Sequence, residues 1–253
     1  MPDHDNWNEH WDRYAAAASL NPAQQMRHAL VAKLLLRELP LHDPMRVLDI
    51  GSGQGDFLRK LRTLIPTAEL VGFEMSSSGV EISRRKVQGA AFLVVDLFRP
   101  PEDLGARRGW ANCAVCSEVL EHVDSPVAFL QAARTYLAEN ARLIVTVPGG
   151  PMSAFDRHIG HRQHFTRSSI RRCLEEAGFA VDRVYLSGFP FFNVYRSVVI
   201  ARGEKLVVDV DAGYHGISAQ LARVMMATFR GLFRFNLMDF PLGWQVVASA
   251  RLK

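Results

Sequence analysis

A chain of 253 residues, 48% hydrophobic and 22% charged, is long enough to bury one substantial core and a small elaboration. Its acidic, polar start (Met1-Pro2-Asp3-His4-Asp5-Asn6) is no signal peptide, and no run of about 18 apolar residues is present to span a membrane. Three cysteines, an odd count, argue against a disulfide framework and fit a reducing compartment, so a cytoplasmic protein is expected.

In chain order, Trp7, Trp11 and Tyr14 at helical spacing predict a helical arm, and Met26, Leu30, Leu34 and Leu35 mark one face of a second helix between Pro22 and Leu39. Residues 1–40 are therefore expected to form a helical cap. Val47, Leu48 and Ile50 read as a short strand buried on both faces, because such strands show an apolar run rather than alternation. Gly51, Gly53 and Gly55 then interrupt helix and strand alike, and they let the backbone approach a ligand with no Cβ between. Asp56 with Leu58, Leu61, Leu64 and Ile65 begins a helix at once. Strand, glycine turn and helix N-terminus in that order make a nucleotide-type pocket at the carboxyl end of a parallel sheet. Asp49 stands two residues before the first glycine, where it would repel a phosphate and attract an ammonium group.

A second strand, Glu69 to Glu74, ends in a carboxylate about 20 residues past the glycines, the place of a ribose-binding acid. Ser78 and Glu81 suggest a capping box for a helix closing at Gly89. The third strand, Ala91 to Asp96, again ends in an acid. The fourth, Ala111 to Cys116, holds Cys113 and Cys116 three apart, hence on opposite faces, as core residues rather than a redox or metal pair. Ser125 and Pro126 predict the cap and first position of the next helix, and Ala141 to Pro148 the fifth strand. Thr166 caps a helix running to Ala177, with Gly178 as its stop. Ala180 to Gly188 and Trp244 to Leu252 read as the last two strands.

Between those strands lie about 50 residues, Phe189 to Gly243, that open on an apolar stretch. Further on, Arg223, Arg230 and Arg234 form one stripe, with Leu221, Met225, Phe229, Leu232 and Phe233 largely away from it. The segment 190–243 is expected to be a lid or an oligomer contact, or a basic amphipathic surface for an anionic membrane.

These landmarks, from Asp49 through Glu74 to Asp96 and on over about 130 residues, resemble the class I methyltransferases that use S-adenosylmethionine (SAM). The resemblance implies an α/β fold with a Rossmann-like seven-stranded sheet, mostly parallel with an antiparallel last strand and helices on both faces. Residues 41–189 and 244–253 would form that domain. It further implies that Asp49, Gly51, Ser52, Gly53 and Gly55 line the methionine tail of the cofactor, Glu74 holds the ribose and Asp96 the adenine. Met75, Leu97, Ser117 and Glu118 would complete the cofactor contacts.

A sulfonium methyl is already activated, so such an enzyme needs mainly to align a nucleophile and remove its proton. Histidines suit the second task. His122 follows the fourth strand, while His158, His161 and His164 sit in the loop after the fifth. His161 is the favoured base, since Gly160 permits a tight turn and Arg157 and Arg162 flank it. A second constellation competes: Glu118, Glu121 and His122 form E-x-x-E-H, which with His161 or His164 could hold a divalent cation across two vicinal oxygens. That pattern resembles the ubiquinone-pathway O-methyltransferases and the enzymes that methylate the 3′-terminal 2′-hydroxyl of small RNAs.

The formal charge of +4 is concentrated between Pro151 and Cys173, where five arginines meet one acid, Asp156. Arg171 and Arg172 pair with Glu175 and Glu176 at i,i+4, whereas Arg157, Arg162 and Arg167 hint at an anionic substrate. The expected function is methyl transfer from SAM to a hydroxyl of a small metabolite, anionic or linked to a lipid or sugar. Metal-assisted transfer to a catechol or an RNA 3′ end is the alternative. A nicotinamide-dependent oxidoreductase is opposed by Asp49 and by Asp56, which takes the place of the third glycine in G-x-G-x-x-G. Nucleic acid is a disfavoured partner, as no appended RNA-binding module or lysine-interleaved aromatic run is present. A homodimer and a peripheral membrane contact both fit the 190–243 segment.

Overall fold

A computed structural model describes residues 6–12, 21–37, 44–211 and 216–253. Tyr14 lies outside them, as does the side chain of Leu221. Seven strands form one sheet in the order β3-β2-β1-β4-β5-β7-β6. They are β1 (Arg46–Ile50), β2 (Glu69–Glu74), β3 (Ala90–Val94), β4 (Ala111–Ser117), β5 (Leu137–Pro148), β6 (Phe179–Ser187) and β7 (Gln245–Leu252). Pairing is parallel from β3 through β5, and β7 runs antiparallel to both β5 and β6. The fold is the Rossmann-like sheet expected.

Alternation along each strand splits the core into two layers. Leu48, Ile50, Ala114 and Cys116 face one side with Leu130, Ile170 and Leu174, which lie on α5 (Pro126–Arg134) and α7 (Arg167–Glu176). Val47, Cys113 and Val115 face the other, against α2 (Pro22–Arg37) and α3 (Asp56–Leu64). The two cysteines are thus buried on opposite faces with free thiols. A third, smaller cluster joins Ala23 of α2 to Phe192, Phe229 and Phe233. Those aromatics come from α8 (Phe191–Asp211), α9 (Gly216–Leu232) and the short turn after it, so the helices between β6 and β7 pack onto the N-terminal helix. Burying each such Phe stabilises by roughly 1.5–3 kcal/mol.

Local chemistry explains where element ends depart from expectation. α4 (Ser77–Lys86) is capped by Ser76, whose Oγ accepts the Gly79 N–H at 3.0 Å, rather than by Ser78. Three consecutive serines offer the same cap chemistry, and only the strand end fixes which one is used. β3 stops at Val94 because the Asp96 carboxylate accepts the Phe98 N–H at 2.9 Å, turning the chain off the ladder. β5 starts at Leu137, before Ala141, through an irregular pairing with β4 that takes up the extra residues around Asn140. Thr166 caps α7 through a reciprocal box with Ser169, and Pro126 opens α5 as expected, although the Ser125 side chain makes no cap bond.

Candidate active site

The site begins where β1 ends. The N–H groups of Gly51 and Ser52 both donate to the Phe73 carbonyl, at 2.8 and 2.9 Å, and so lash the turn to the end of β2. Gly51 and Gly53 have φ of 72° and 52°. A Cβ on Gly51 would lie 2.4 Å from Val119, and one on Gly53 2.5 Å from the Trp11 ring, so both positions are closed to any side chain. Trp11 belongs to α1, a helical segment over residues 7–12. Asn8 on the same segment receives hydrogen bonds from the Ser76 and Ser77 hydroxyls and the Ser78 N–H, which pins this arm onto the start of α4.

A cavity of about 420 Å³ opens beyond the carboxyl ends of β1, β4 and β5. Of the residues expected at the cofactor, Asp49, Gly51, Ser52, Gly53, Ser117 and Glu118 line it. Gly55 instead forms the left-handed N-cap of α3. Glu74 is buried behind the turn, its two oxygens accepting the N–H groups of Gly53 at 2.8 Å and Ser76 at 2.9 Å. Met75 is exposed and Leu97 is packed in the core, so neither side chain faces the cavity. Asp96 lies outside the lining, in the turn after β3.

Carboxylates dominate the electrostatics. Burial, with Glu74 adding repulsion, pushes Asp49 up to about 7, and burial likewise raises Glu74 against the N–H bonds that oppose it. Glu118 adopts φ 57°, a conformation that costs a non-glycine residue about 1 kcal/mol or more. It is held there by Thr146 and Gln245, each 3.0 Å from its Oε1, and by Arg27 at 3.6 Å. Glu118 therefore leaves the expected E-x-x-E-H grouping, and it does so because the chain enters a 3₁₀ turn, Leu120–His122, instead of a helix.

Glu121, His122 and His161 do converge, with one ligand-type atom of each within 4.8 Å of the others. Both Glu121 oxygens are buried with no hydrogen-bond partner, and burial, reinforced by Glu118, drives its acidity well down. A divalent cation would satisfy these oxygens, so the donor set fits one. The neighbouring grouping of Asp156, His161 and His164 does not, because Asp156 is already engaged by Arg196 through both oxygens at 2.9 and 2.7 Å.

His161 Nδ1 lies 3.2 Å from His164 Nε2, and His164 Nδ1 lies 3.0 Å from the Gly150 carbonyl. The Gly150 carbonyl can only accept, so His164 Nδ1 donates to it, and the tautomer that carries one proton per ring has His164 Nε2 accepting from His161 Nδ1. His161 Nε2 is then left as a bare lone pair. Burial, with His122 nearby, lowers His161 to about 3, and burial lowers His122 to about 4. The His122 ring meets both His161 and Trp7 edge to face, with centroids 4.8 and 4.9 Å apart. His158 is exposed and outside the cavity lining.

The arginines expected to greet an anion lie outside the cavity lining. Arg167 bonds the Val184 carbonyl and Asp239, Arg162 pairs with Asp124, and Arg157 is exposed outside the cavity. Among the described residues, the Arg and Lys side chains lining the cavity are Arg27 and Arg196. Arg196 sits in an otherwise apolar run, where a charge needs a buried partner, and that was a legible signal; Arg27, beside Met26 on a helix, gave none. Asp156 is 1% exposed, completes the capping box with Ser153 at the start of α6 (Ala154–His158) and accepts the His161 N–H through its carbonyl at 2.9 Å. Arg196→Ala is therefore expected to destabilise the fold by about 3–5 kcal/mol in urea unfolding, as removal of one partner strands the other's buried charge.

A glycine turn fronted by a buried acid, at the carboxyl edge of a sheet in this order, defines a class. A family model described as a methyltransferase domain matches residues 23–184. The chain belongs to this methyltransferase-domain family, and its fold is that of the class I, SAM-dependent methyltransferases.

Among its relatives is trans-aconitate 2-methyltransferase of Rhodopseudomonas palustris, 25% identical over 195 residues, covering 64% of this chain and 76% of that one. Ubiquinone biosynthesis O-methyltransferase of Xanthomonas axonopodis pv. citri is 27% identical over 111 residues, 44% of this chain and 46% of that one. A chain from the complex of the Haloferax volcanii Trm112 methyltransferase activator with a putative methyltransferase shares the fold. Its TM-score is 0.60 at 16% identity, covering 98% of this chain and 97% of that one. The chain spans half or less of several curated relatives it matches, with 48%, 29% and 39% of their lengths covered. No helix among the described residues is long and apolar enough to cross a membrane.

Proposed function

We propose that the chain transfers a methyl group from SAM to a hydroxyl of a small metabolite that carries an apolar portion. The observation that carries this reading is the pairing of a ligand-accessible glycine turn with Asp49 in the cavity wall. A pyrophosphate would be repelled there, whereas a ligand with an ammonium group and a sulfonium would be held. Asp49 takes the ammonium in this reading and Gly51, Ser52 and Gly53 support the amino-acid tail, while Glu74 braces the turn from behind on the ribose side and Asp96, beyond the cavity lining, lies on the adenine side. Ser117 and Glu118 bound the same groove. The α1 arm and the helices between β6 and β7 act as the lid.

When bound, SAM supplies an electrophilic methyl group. His161 Nε2 would hold the acceptor hydroxyl and take up its proton as that oxygen receives the methyl group. His164 and the Gly150 carbonyl hold His161 in the tautomer this requires. Arg27 and Arg196 set the polar end of the acceptor, and Phe192, Tyr195, Met226 and Trp244 wall its apolar part.

Titration calorimetry with SAM and with NADH tests the central claim. Saturable SAM binding is the expected result, and preference for NADH would overturn it. Incubation with methyl-labelled SAM and a fractionated extract then reports the acceptor.

The unpartnered Glu121 oxygens beside His122 and His161 favour one second reading, metal-assisted transfer to a vicinal diol. In that case EDTA abolishes turnover and Mg²⁺ or Mn²⁺ restores it. Full activity in EDTA leaves His161 acting alone, with Glu121 held protonated by its burial.

A further inference from the structure

We propose that the outer face of α9 and the loop after it seats the protein on an anionic lipid surface. There it would present the cavity's apolar wall to an acceptor with a hydrocarbon part. The second half of this inference rests on the methyl-transfer reading; the first stands on the surface alone.

Half of the large hydrophobic side chains exposed among the described residues lie in this one region. Val194, Val224, Phe235, Leu237 and Leu242 are 50, 65, 71, 46 and 59% exposed. Val224, Thr228, Gly231 and Phe235 follow one another at helical spacing along the outside, and Arg223, Arg230 and Arg234 form the adjacent stripe. All seven are exposed, while Phe229 and Phe233 are buried beneath them. The inner face thus satisfies the helix's packing, and the outer apolar residues are not required by the fold.

The patch is also held in shape. Asn236 Oδ1 accepts the N–H groups of Phe191 at 2.9 Å and Phe192 at 3.2 Å, and Asn193 Nδ2 donates to the Leu242 carbonyl at 2.6 Å. These bonds tie the loop carrying Phe235, Leu237 and Leu242 to the turn that carries Val194.

Charge selects the occupant. From Gly216 to Met238 the chain holds three arginines and no acid. The one acid of the following loop, Asp239, is paired with Arg167 and Arg183, so exposed apolar side chains beside an excess of cations match a surface of anionic headgroups over hydrocarbon. The same helices supply Phe192, Tyr195, Val199 and Met226 to the cavity, so the membrane-facing layer and the acceptor wall are two sides of one helical pair.

The test is co-sedimentation of the full chain with vesicles of phosphatidylglycerol and phosphatidylcholine, against phosphatidylcholine alone, without cofactor. Partition onto the anionic vesicles, weakened by 0.5 M salt, is expected. Replacing Arg223, Arg230 and Arg234 together by Ala should lower the partition coefficient roughly a hundredfold. That is about fivefold per arginine, the equivalent of about 1 kcal/mol each. Phe235→Ser, which leaves the charges in place, should lower it on its own.

Equal or absent partition on the two vesicle types would overturn the proposal. So would a dimer in solution that the same substitutions dissociate without vesicle binding, which would mark the face as a contact between copies. Unchanged SAM affinity and circular dichroism in the variants show that they fold. Because vesicle binding is read without SAM, failure here and failure of the methyl-transfer reading are separate results.

Discussion

Asp49→Asn is expected to weaken SAM binding by a hundredfold or more while the unfolding midpoint stays constant or rises. The affinity loss follows from stripping one partner from a buried pair of opposite charges, worth about 3–5 kcal/mol. The stability result follows from the free protein, in which burial and the repulsion of Glu74 already push Asp49 up to about 7. An amide of the same shape removes that unfavourable charge. The sign of the pH dependence is fixed by the same shift. Asp49 is raised above its unfolded value, so in the free protein its carboxyl costs stability progressively as pH rises from about 4 to about 7, and the cost levels off above that. Cofactor binding has the opposite slope, because the ammonium requires the carboxylate. Affinity should fall by about tenfold per pH unit below 7, and binding near pH 6 should release close to one proton. Calorimetry in buffers of differing ionisation enthalpy reads that proton directly. A pH-independent affinity in the wild type would remove Asp49 from the ammonium site.

His161→Ala is expected to lower turnover by about 10²–10⁴, the usual range for loss of a positioned general base, with SAM affinity within about twofold of wild type. The geometry supports so large an effect. His164 and the Gly150 carbonyl leave His161 Nε2 as the lone pair beside the cavity, and burial lowers the ring to about 3, which keeps it unprotonated throughout the neutral range. A base with so low an intrinsic affinity for protons must gain its partner's proton late, as the methyl group is transferred and the acceptor oxygen acquires positive character. Single-turnover kinetics with bound SAM separate this step from product release. Full activity in the variant would show that the acceptor loses its proton to solvent or to a metal-bound group.

The glycine turn illustrates why part of this site could be read from residues alone. Glycines at alternate positions after an apolar strand have few structural solutions, and the acid before them carries its electrostatic meaning wherever the sheet places it. The span of β2, ending at Glu74, was similarly legible, since its length and the turn after it are set locally. Cys113 and Cys116 were assigned to opposite faces by period alone, and they lie in the two different core layers.

The misreadings share a cause. Arg157, Arg162 and Arg167 were grouped by proximity in sequence, but Arg167 reaches Asp239, 72 residues on, and Arg162 turns back to Asp124. Glu118 was grouped with Glu121 and His122 by helical spacing, yet its positive φ aims it at Thr146 and Gln245 on neighbouring strands.

By itself, then, the sequence determined the elements, the sheet they build and the chemistry of the turn at its centre, because these depend on periodicity, steric freedom at glycine and the charge of single residues. Only the tertiary structure decided which cations enter the cavity, which acids lose their partners and how the histidines orient one another. Those outcomes depend on groups from α2, β5, the loop after it and α8 meeting in low-dielectric space. Contacts between residues 40 or 127 positions apart, such as Arg196 with Asp156 or Gln245 with Glu118, leave no local trace in the chain.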